Sequence, residues 1–343
     1  MTITDPVRFG LIGCGRIGTY HATTLARRLT EADLVAVADP FEASAKRLGE
    51  SLDVGWLTDT QALIDDPRIE AVAITCASTA HAELVVAASR AGKAIFVEKP
   101  MAMTLAEADR EIAAVAEAGV PLQVGFNRRF SRDFVAAREA VSAGRIGTPR
   151  LLRSLTRDPG LTNPGAVPPW TIFTQTLIHD FDALNWFNAG SRAVEVSAMA
   201  DALIAPEFKD SGLLDTAVVT IRYDNGAIAV AEANFSAAYG YDVRAEVFGS
   251  DGMVQAGSPA HLTTSLWTVD GAAMPTARAD TELLGDAYAA ELAGFCEAVR
   301  TGTPTAAGGQ DARNALRIAL ACIEAYETGS TVTVRDADRE AAA

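Results

Sequence analysis

At 343 residues the chain is too long for one nucleotide-binding domain and suits two, and its 49% apolar content is ample for two cores. A formal charge of -15 excludes partners that need a basic patch, which rules out nucleic acid and anionic membrane surfaces alike.

The first apolar run, Val7 to Ile12, reads as a strand that breaks into Gly13-Cys14-Gly15-Arg16-Ile17-Gly18 and continues as a helical pattern through Leu29. Each glycine has a separate task at a dinucleotide: Gly13 permits the tight turn, Gly15 lets the backbone approach a pyrophosphate, and Gly18 lets the helix lie close on the strand. Arg16 and Ile17 then offer first-turn N–H groups to the phosphates. A second strand, Leu34 to Ala38, ends on Asp39, placed to accept hydrogen bonds from the adenosine ribose. Its charge repels a 2′-phosphate, so the expected cofactor is NAD.

Glu42 to Leu52 and Trp56 to Ile64 read as helical segments, and Ala71 to Thr75 as a buried strand. Cys76 to Ala80 forms the loop at that strand's carboxyl end, where open α/β sheets bind ligands. Ser78 and His81 are the cofactor candidates there, although His81 also suits a plain first-turn position in the helix from Ala80 to Ala91. The strand Ala94 to Val97 delivers Glu98-Lys99-Pro100 to the same edge, which adds Glu98 and Lys99 to the cofactor candidates. A lysine straight after four apolar strand residues implies work or a partner for its ammonium. Thr104 to Ala118 carries a capping box through Thr104 and Glu107. Val120 to Val124 closes the first domain, expected at 1–125, and of the adjacent Arg128 and Arg129 at most one faces a ligand.

The second domain, 126–343, changes texture to period-two strands and frequent turns. Trp170 to Phe187 reads as a helix in which Gln175 and His179, four apart, share a face and lie one turn from each other. Pro149 to Arg157, Val194 to Ile204, Asp215 to Tyr223, Ala227 to Phe235 and Val243 to Phe248 read as strands, with Asp224-Asn225-Gly226 expected as a type I′ hairpin turn and Ser250-Asp251-Gly252 as a further turn before more strand to about Val269. Ala287 to Arg300 and Ala312 to Glu327 are closing helices that can pack back on the first domain, and the alanine-rich tail is expected to fray. The expected fold is α/β, an N-terminal Rossmann domain plus a C-terminal α+β domain with a large, mostly antiparallel open sheet.

Cys14, Cys76, Cys296 and Cys322 are far apart, with no pair at metal-ligand spacing, so no metal is implied and reduced thiols in a cytoplasmic protein are expected. Met1 to Pro6 has neither the basic nor the apolar region of a secretory leader, and no apolar run reaches the roughly eighteen residues of a membrane span.

Taken together, Gly13-x-Gly15-x-x-Gly18, Glu98-Lys99-Pro100 and Ile178-His179-Asp180-x-Asp182 make the chain resemble the glucose-fructose oxidoreductase / inositol dehydrogenase (Gfo/Idh/MocA) family over nearly its whole length. Within it, Arg128-Arg129-Phe130 and Tyr239-Gly240-Tyr241-Asp242 look most like the NAD-dependent inositol 2-dehydrogenases. The resemblance implies that Lys99 is the catalytic lysine, that His179 is the general base, and that Arg129, Asp158 and Tyr239 touch substrate hydroxyls. It also implies a homo-oligomer, a dimer or tetramer formed through the second domain's sheet. One position departs from the pattern: the family has an aspartate four residues before the histidine, and this chain has Gln175. A glutamine orients the imidazole without stabilising an imidazolium by charge. Oxidation of a cyclic polyol is thus the leading expectation. A pyranose sugar or glycoside is the alternative substrate, and a non-catalytic NAD-binding sensor is the more distant reading.

Overall fold

The structure, a computed structural model, describes residues 5–161 and 163–336. The expectations about the leader and the fraying tail fall partly or wholly outside these residues. The described residues divide into two compact units, one of 5–129 and 286–313, the other of 130–161, 163–285 and 314–336.

The first unit is a six-stranded parallel sheet built from β1 (Val7–Ile12), β2 (Ala32–Ala38), β3 (Gly55–Leu57), β4 (Ala71–Ile74), β5 (Ala94–Val97) and β6 (Leu122–Val124), in the order β3-β2-β1-β4-β5-β6. That is the doubly wound order, and its reversal lies between β1 and β4, so the crevice beyond their carboxyl ends is where a ligand fits. The helices are α1 (Arg16–Arg27), α2 (Glu42–Leu52), α3 (Thr60–Ile64), α4 (His81–Arg90) and α5 (Leu105–Ala118). The capping box forms: the Thr104 hydroxyl accepts from the Glu107 amide while the Glu107 carboxylate accepts from the Thr104 amide. Trp56, expected in a helix, lies instead in β3, pairing with Val37, and α3 starts only after Asp59 caps it through the Gln61 and Ala62 amides. A three-residue edge strand is too short to show a period of two.

The second unit contains α6 (Arg132–Ser142), β7 (Pro149–Arg157), α7 (Leu177–Phe187), β8 (Ala193–Asp201), β9 (Thr216–Tyr223), β10 (Ile228–Asn234), β11 (Asp242–Gly249), β12 (Met253–Ala256), the small hairpin β13 (Leu266–Thr268) and β14 (Gly271–Ala273), α8 (Asp280–Leu283) and β15 (Val332–Thr333). Its seven-stranded sheet runs β12-β11-β7-β10-β9-β8-β15, with β7 and β10 parallel and every other pair antiparallel. The strand expected from Val243 to Phe248 and the turn at Ser250-Asp251-Gly252 form as β11 and its hairpin to β12, and the further strand expected to about Val269 is the two short pieces β12 and β13. The Asp224-Asn225-Gly226 hairpin also differs from expectation. Only Gly226 has positive φ, its amide donates to Tyr223 O at 3.0 Å, and the Tyr223 amide donates to Ala227 O at 2.9 Å. This is a type I turn followed by a left-handed glycine, a three-residue loop, because the register pairs Tyr223 with Ala227 and leaves three residues to span.

The last long helices are α9 (Gly285–Thr301) and α10 (Gly309–Thr328). Leu292, Phe295 and Cys296 of α9 join Val7, Phe9, Leu11 and Phe96 in one buried cluster, so the first unit's core is completed by residues from near the end of the chain. Arg300 secures the same helix by donating to Pro6 O at 2.6 Å and to Glu70 at 3.0 Å. Among the described residues, no helix is long and apolar enough to cross a membrane.

Candidate active site

In the first unit the glycine turn is built as its chemistry requires. Gly13 has φ +100°, and a Cβ there would stand 2.5 Å from the Cys76 backbone nitrogen. A Cβ on Gly18 would stand 1.8 Å from Gly13 O, whereas one on Gly15 would meet nothing within 4 Å. Gly18 therefore serves packing, and Gly15 faces open space on the side where a phosphate would lie. The Thr75 hydroxyl pins the turn by donating to Gly13 O at 2.9 Å. Helix α1 starts on Gly15 with no side-chain cap and no acidic residue in its first turn, which leaves its N-terminal dipole for an anion.

Asp39 follows β2 directly. Its carboxylate accepts from the Cys14 amide at 2.8 Å and from the Phe41 amide at 2.9 Å, one bond to each oxygen. Each oxygen keeps a lone pair for a ribose hydroxyl. Glycine turn, uncapped helix and fixed carboxylate together fit the adenosine diphosphate half of NAD. Burial, with the Asp39 charge beside it, pushes the Cys14 thiol up to about 12, and burial pushes Cys76 up to about 11. Neither thiol is then a nucleophile near neutral pH.

Ser78 opens a short 3-10 turn beyond β4 and is half-buried. His81 is fully buried, with Nδ1 2.8 Å from Pro100 O and Nε2 3.2 Å from Cys76 O. Burial outweighs those two carbonyls and lowers its pKa, and the neutral ring has a single N–H to donate to one of them. Beyond β5, Lys99 is half-buried and precedes a cis bond to Pro100. Glu98 turns inward: Oε1 lies 2.8 Å from His21 Nε2, and Oε2 accepts from the Lys99 amide at 3.1 Å. Arg129 is likewise engaged inside the unit, donating to Ala306 O at 2.7 Å and pairing with Asp311 at 3.0 Å. The side chains of His81, Glu98 and Arg129, expected at ligands, each also take partners within the protein.

In the second unit the expected single helix from Trp170 to Phe187 is two structures. Ile172–Thr176 is a π turn, in which the Leu177 amide donates back to Ile172 O, and α7 follows. Trp170, at φ +61°, opens it. Gln175 lies in the wide turn and His179 in the α-helix, so the one-turn relation expected from their spacing is altered by the wider pitch. Both are half-buried. Next to His179, the Asp180 carboxylate is fully buried and accepts from Ser154 Oγ at 2.5 Å and Thr156 Oγ1 at 2.7 Å, which locks α7 onto β7. Asp180→Ala removes the acceptor of two buried hydroxyls and should cost about 2–4 kcal/mol in urea unfolding.

Asp158 and Tyr239 belong to one edge of the second sheet, where Arg157 pairs with both Asn234 and Asp242. The Asp158 amide donates to Asn234 O at 2.9 Å, and its carbonyl accepts from the Ala237 amide at 2.8 Å. The Tyr239 hydroxyl donates to Asp242 at 2.7 Å and accepts from Arg157 at 3.3 Å. Burial and the Asp242 bond raise its pKa despite Arg157, so the phenol stays protonated and works as a hydrogen-bonding group.

Sequence reading missed one cluster. His21, Glu98 and Glu291, all buried, offer ligand-type atoms within 4.8 Å of one another. They stand far apart in the chain, so no local spacing announces them.

Two family models match the chain: the oxidoreductase family with an NAD-binding Rossmann fold over residues 7–126, and the GFO/IDH/MocA C-terminal domain over 134–255. A myo-inositol 2-dehydrogenase of Thermotoga maritima is 37% identical over 96% of this chain and 99% of its own length. The scyllo-inositol 2-dehydrogenase (NAD(+)) of Bacillus subtilis is 32% identical over 95% and 96%. A solved scyllo-inositol dehydrogenase from Lactobacillus casei, with bound NAD(H) and scyllo-inositol, superposes with a TM-score of 0.92 at 26% identity, covering 96% of this chain and 99% of that one.

Proposed function

The chain belongs to the Gfo/Idh/MocA oxidoreductase family, and on that premise we propose that it oxidises a secondary alcohol of an inositol to the ketone, with NAD as acceptor. One observation carries the reading: relatives named for inositol match the chain over nearly its full length, substrate unit included.

NAD, when bound, supplies the electron acceptor at its nicotinamide ring. The N–H groups of Arg16 and Ile17 and the turn at Gly13, Gly15 and Gly18 bind its pyrophosphate. Asp39 takes the adenosine ribose and Ser78 lies on the nicotinamide side. Lys99, as ammonium, hydrogen-bonds the substrate oxygen and stabilises its developing charge, while His179 takes the hydroxyl proton. Gln175 orients the imidazole, and Asp158 and Tyr239 bind ring hydroxyls. The neutral Gln175 favours a second substrate class, a pyranose or glycoside. NADH formation with myo-inositol, scyllo-inositol and glucose separates the readings: glucose as best substrate selects the second, and no turnover with any points to a sensor. Four free cysteines suit a reducing compartment, which we take to be the cytoplasm.

We further infer that the chain self-associates through its outer sheet face. Met253, Phe248, Leu151 and Ile228 form one row across β12, β11, β7 and β10, each between 41% and 50% exposed. Such a row across four strands is an apolar patch of the kind that marks an interface. Phe248→Glu should shift the sedimentation coefficient to that of a smaller species; an unchanged assembly removes this face from consideration.

A further inference from the structure

The buried group behind β5 has a use that the proposed chemistry does not yet assign. His21 reaches it from α1, Glu98 from the end of β5 and Glu291 from α9. Its walls are aromatic: the Phe96 ring is 5.4 Å from the His21 ring and that of Tyr288 is 5.6 Å, both edge-on. Gly125 packs against the Glu98 carboxylate, where a Cβ would stand 3.2 Å from it. Gln123 donates to the Glu291 backbone carbonyl at 2.7 Å, not to its side chain. Among the described residues, neither Glu291 carboxyl oxygen has a hydrogen-bond partner, although the residue is fully buried.

Two carboxylates this close in an apolar enclosure cannot both ionise. We propose that Glu98 and Glu291 share a single proton, and that this unit, closed by His21, positions Lys99 by holding its backbone amide. This rests on the role given to Lys99 above. The proton resides on Glu291, whose pKa is driven well above its ordinary value by burial and then by the Glu98 charge. Burial also pushes Glu98 upward, but the His21 bond and charge, the Lys99 ammonium and the Lys99 amide outweigh it and hold Glu98 ionised. The titratable groups around the enclosure are His21 on α1, His81 at the start of α4, Glu98 and Lys99 at the end of β5, and Tyr288 with Glu291 on α9; Gln123 on β6 is neutral. Glu98 and Glu291 are positioning residues, because they act on the substrate only through Lys99.

The sign of the pH effect follows. Glu291 is ionised in the unfolded chain above about pH 4.3 and protonated in the folded one, so folding takes up a proton. The stability it leaves intact at acid pH is lost as pH rises toward the folded pKa. Glu291→Gln removes that slope. Relative to the variant, the wild-type folding equilibrium constant should fall about tenfold per pH unit between about pH 5.5 and the folded pKa, read from denaturant melts. At about pH 8 the protonated-carboxyl infrared band should be weaker in the variant than in the wild type, the remainder belonging to Glu111, which burial raises to about 8. Should Glu291→Gln not fold, the same band in Glu111→Gln decides, since that change removes another buried acid, one raised to about 8. Glu98→Gln keeps an acceptor for the Lys99 amide but loses the charge, and should lower kcat about ten- to hundredfold with NAD affinity unchanged. A pH-independent difference, a band undiminished in Glu291→Gln or missing from Glu111→Gln, a wild-type kcat in Glu98→Gln, or a divalent metal recovered in stoichiometric amount each overturns the proposal. If no inositol is turned over, the dehydrogenase reading fails alone, because the melts and spectra need no substrate.

Discussion

On the roles proposed above, replacing Lys99 with alanine should cut inositol oxidation by orders of magnitude while NAD still binds, and replacing His179 with alanine should do the same. The magnitudes follow from the two roles. Loss of a positioned general base lowers kcat about 10²- to 10⁴-fold, and loss of a preorganised donor to the developing oxyanion costs about 10²- to 10³-fold. Neither side chain belongs to the glycine turn or to the Asp39 carboxylate that hold the adenosine half, so NAD affinity should stay within a factor of about three. Because both act on one oxygen, the double variant should lose less than the product of the single losses. Stopped-flow NADH formation with titration calorimetry of NAD checks all three proteins. Either single variant turning over at the wild-type rate with the true substrate would sink the assignment of roles.

The second large effect is structural. Gly18→Ala puts a methyl where the nearest atom is the Gly13 carbonyl oxygen at 1.8 Å, and that oxygen belongs to a turn the Thr75 hydroxyl already fixes. Backbone cannot yield as a flexible side chain would, so α1 must be pushed off the sheet. The expected cost is about 2–3 kcal/mol of stability and the loss of NAD binding, since the first-turn amides move with the helix. Gly15→Ala is the control: no atom lies within 4 Å of the added methyl, so the apo protein should melt as wild type while NAD affinity falls. Equal destabilisation by both substitutions would mean that the glycines share one packing task and not two different ones.

These pairs also show why some parts of the molecule were legible in sequence. The glycine turn, Asp39 and the Thr104 capping box are local devices whose partners lie within one supersecondary unit, so spacing alone specifies them. The antiparallel texture of the second unit was readable from period-two alternation, as in β9, where buried and exposed residues alternate. What escaped was set by tertiary context. The π turn at Ile172–Thr176 uses the same residue types as an α-helix, so nothing in the composition distinguishes them. Arg129 finds Asp311, and Glu98 finds His21 and Glu291, across separations that only the closed fold creates. A short motif carries Glu98 and Arg129 without specifying the internal partners that each side chain also takes.

The order of synthesis and the order of packing are out of step in the first unit. Its central strands β1 and β5 are made early, yet the aromatic faces of Phe9 and Phe96 are covered by Phe295 of α9, at ring distances of 6.0 and 6.2 Å. A nascent chain on the ribosome must therefore carry an open apolar sheet throughout translation of the intervening unit, and the nucleotide fold closes only when α9 has emerged.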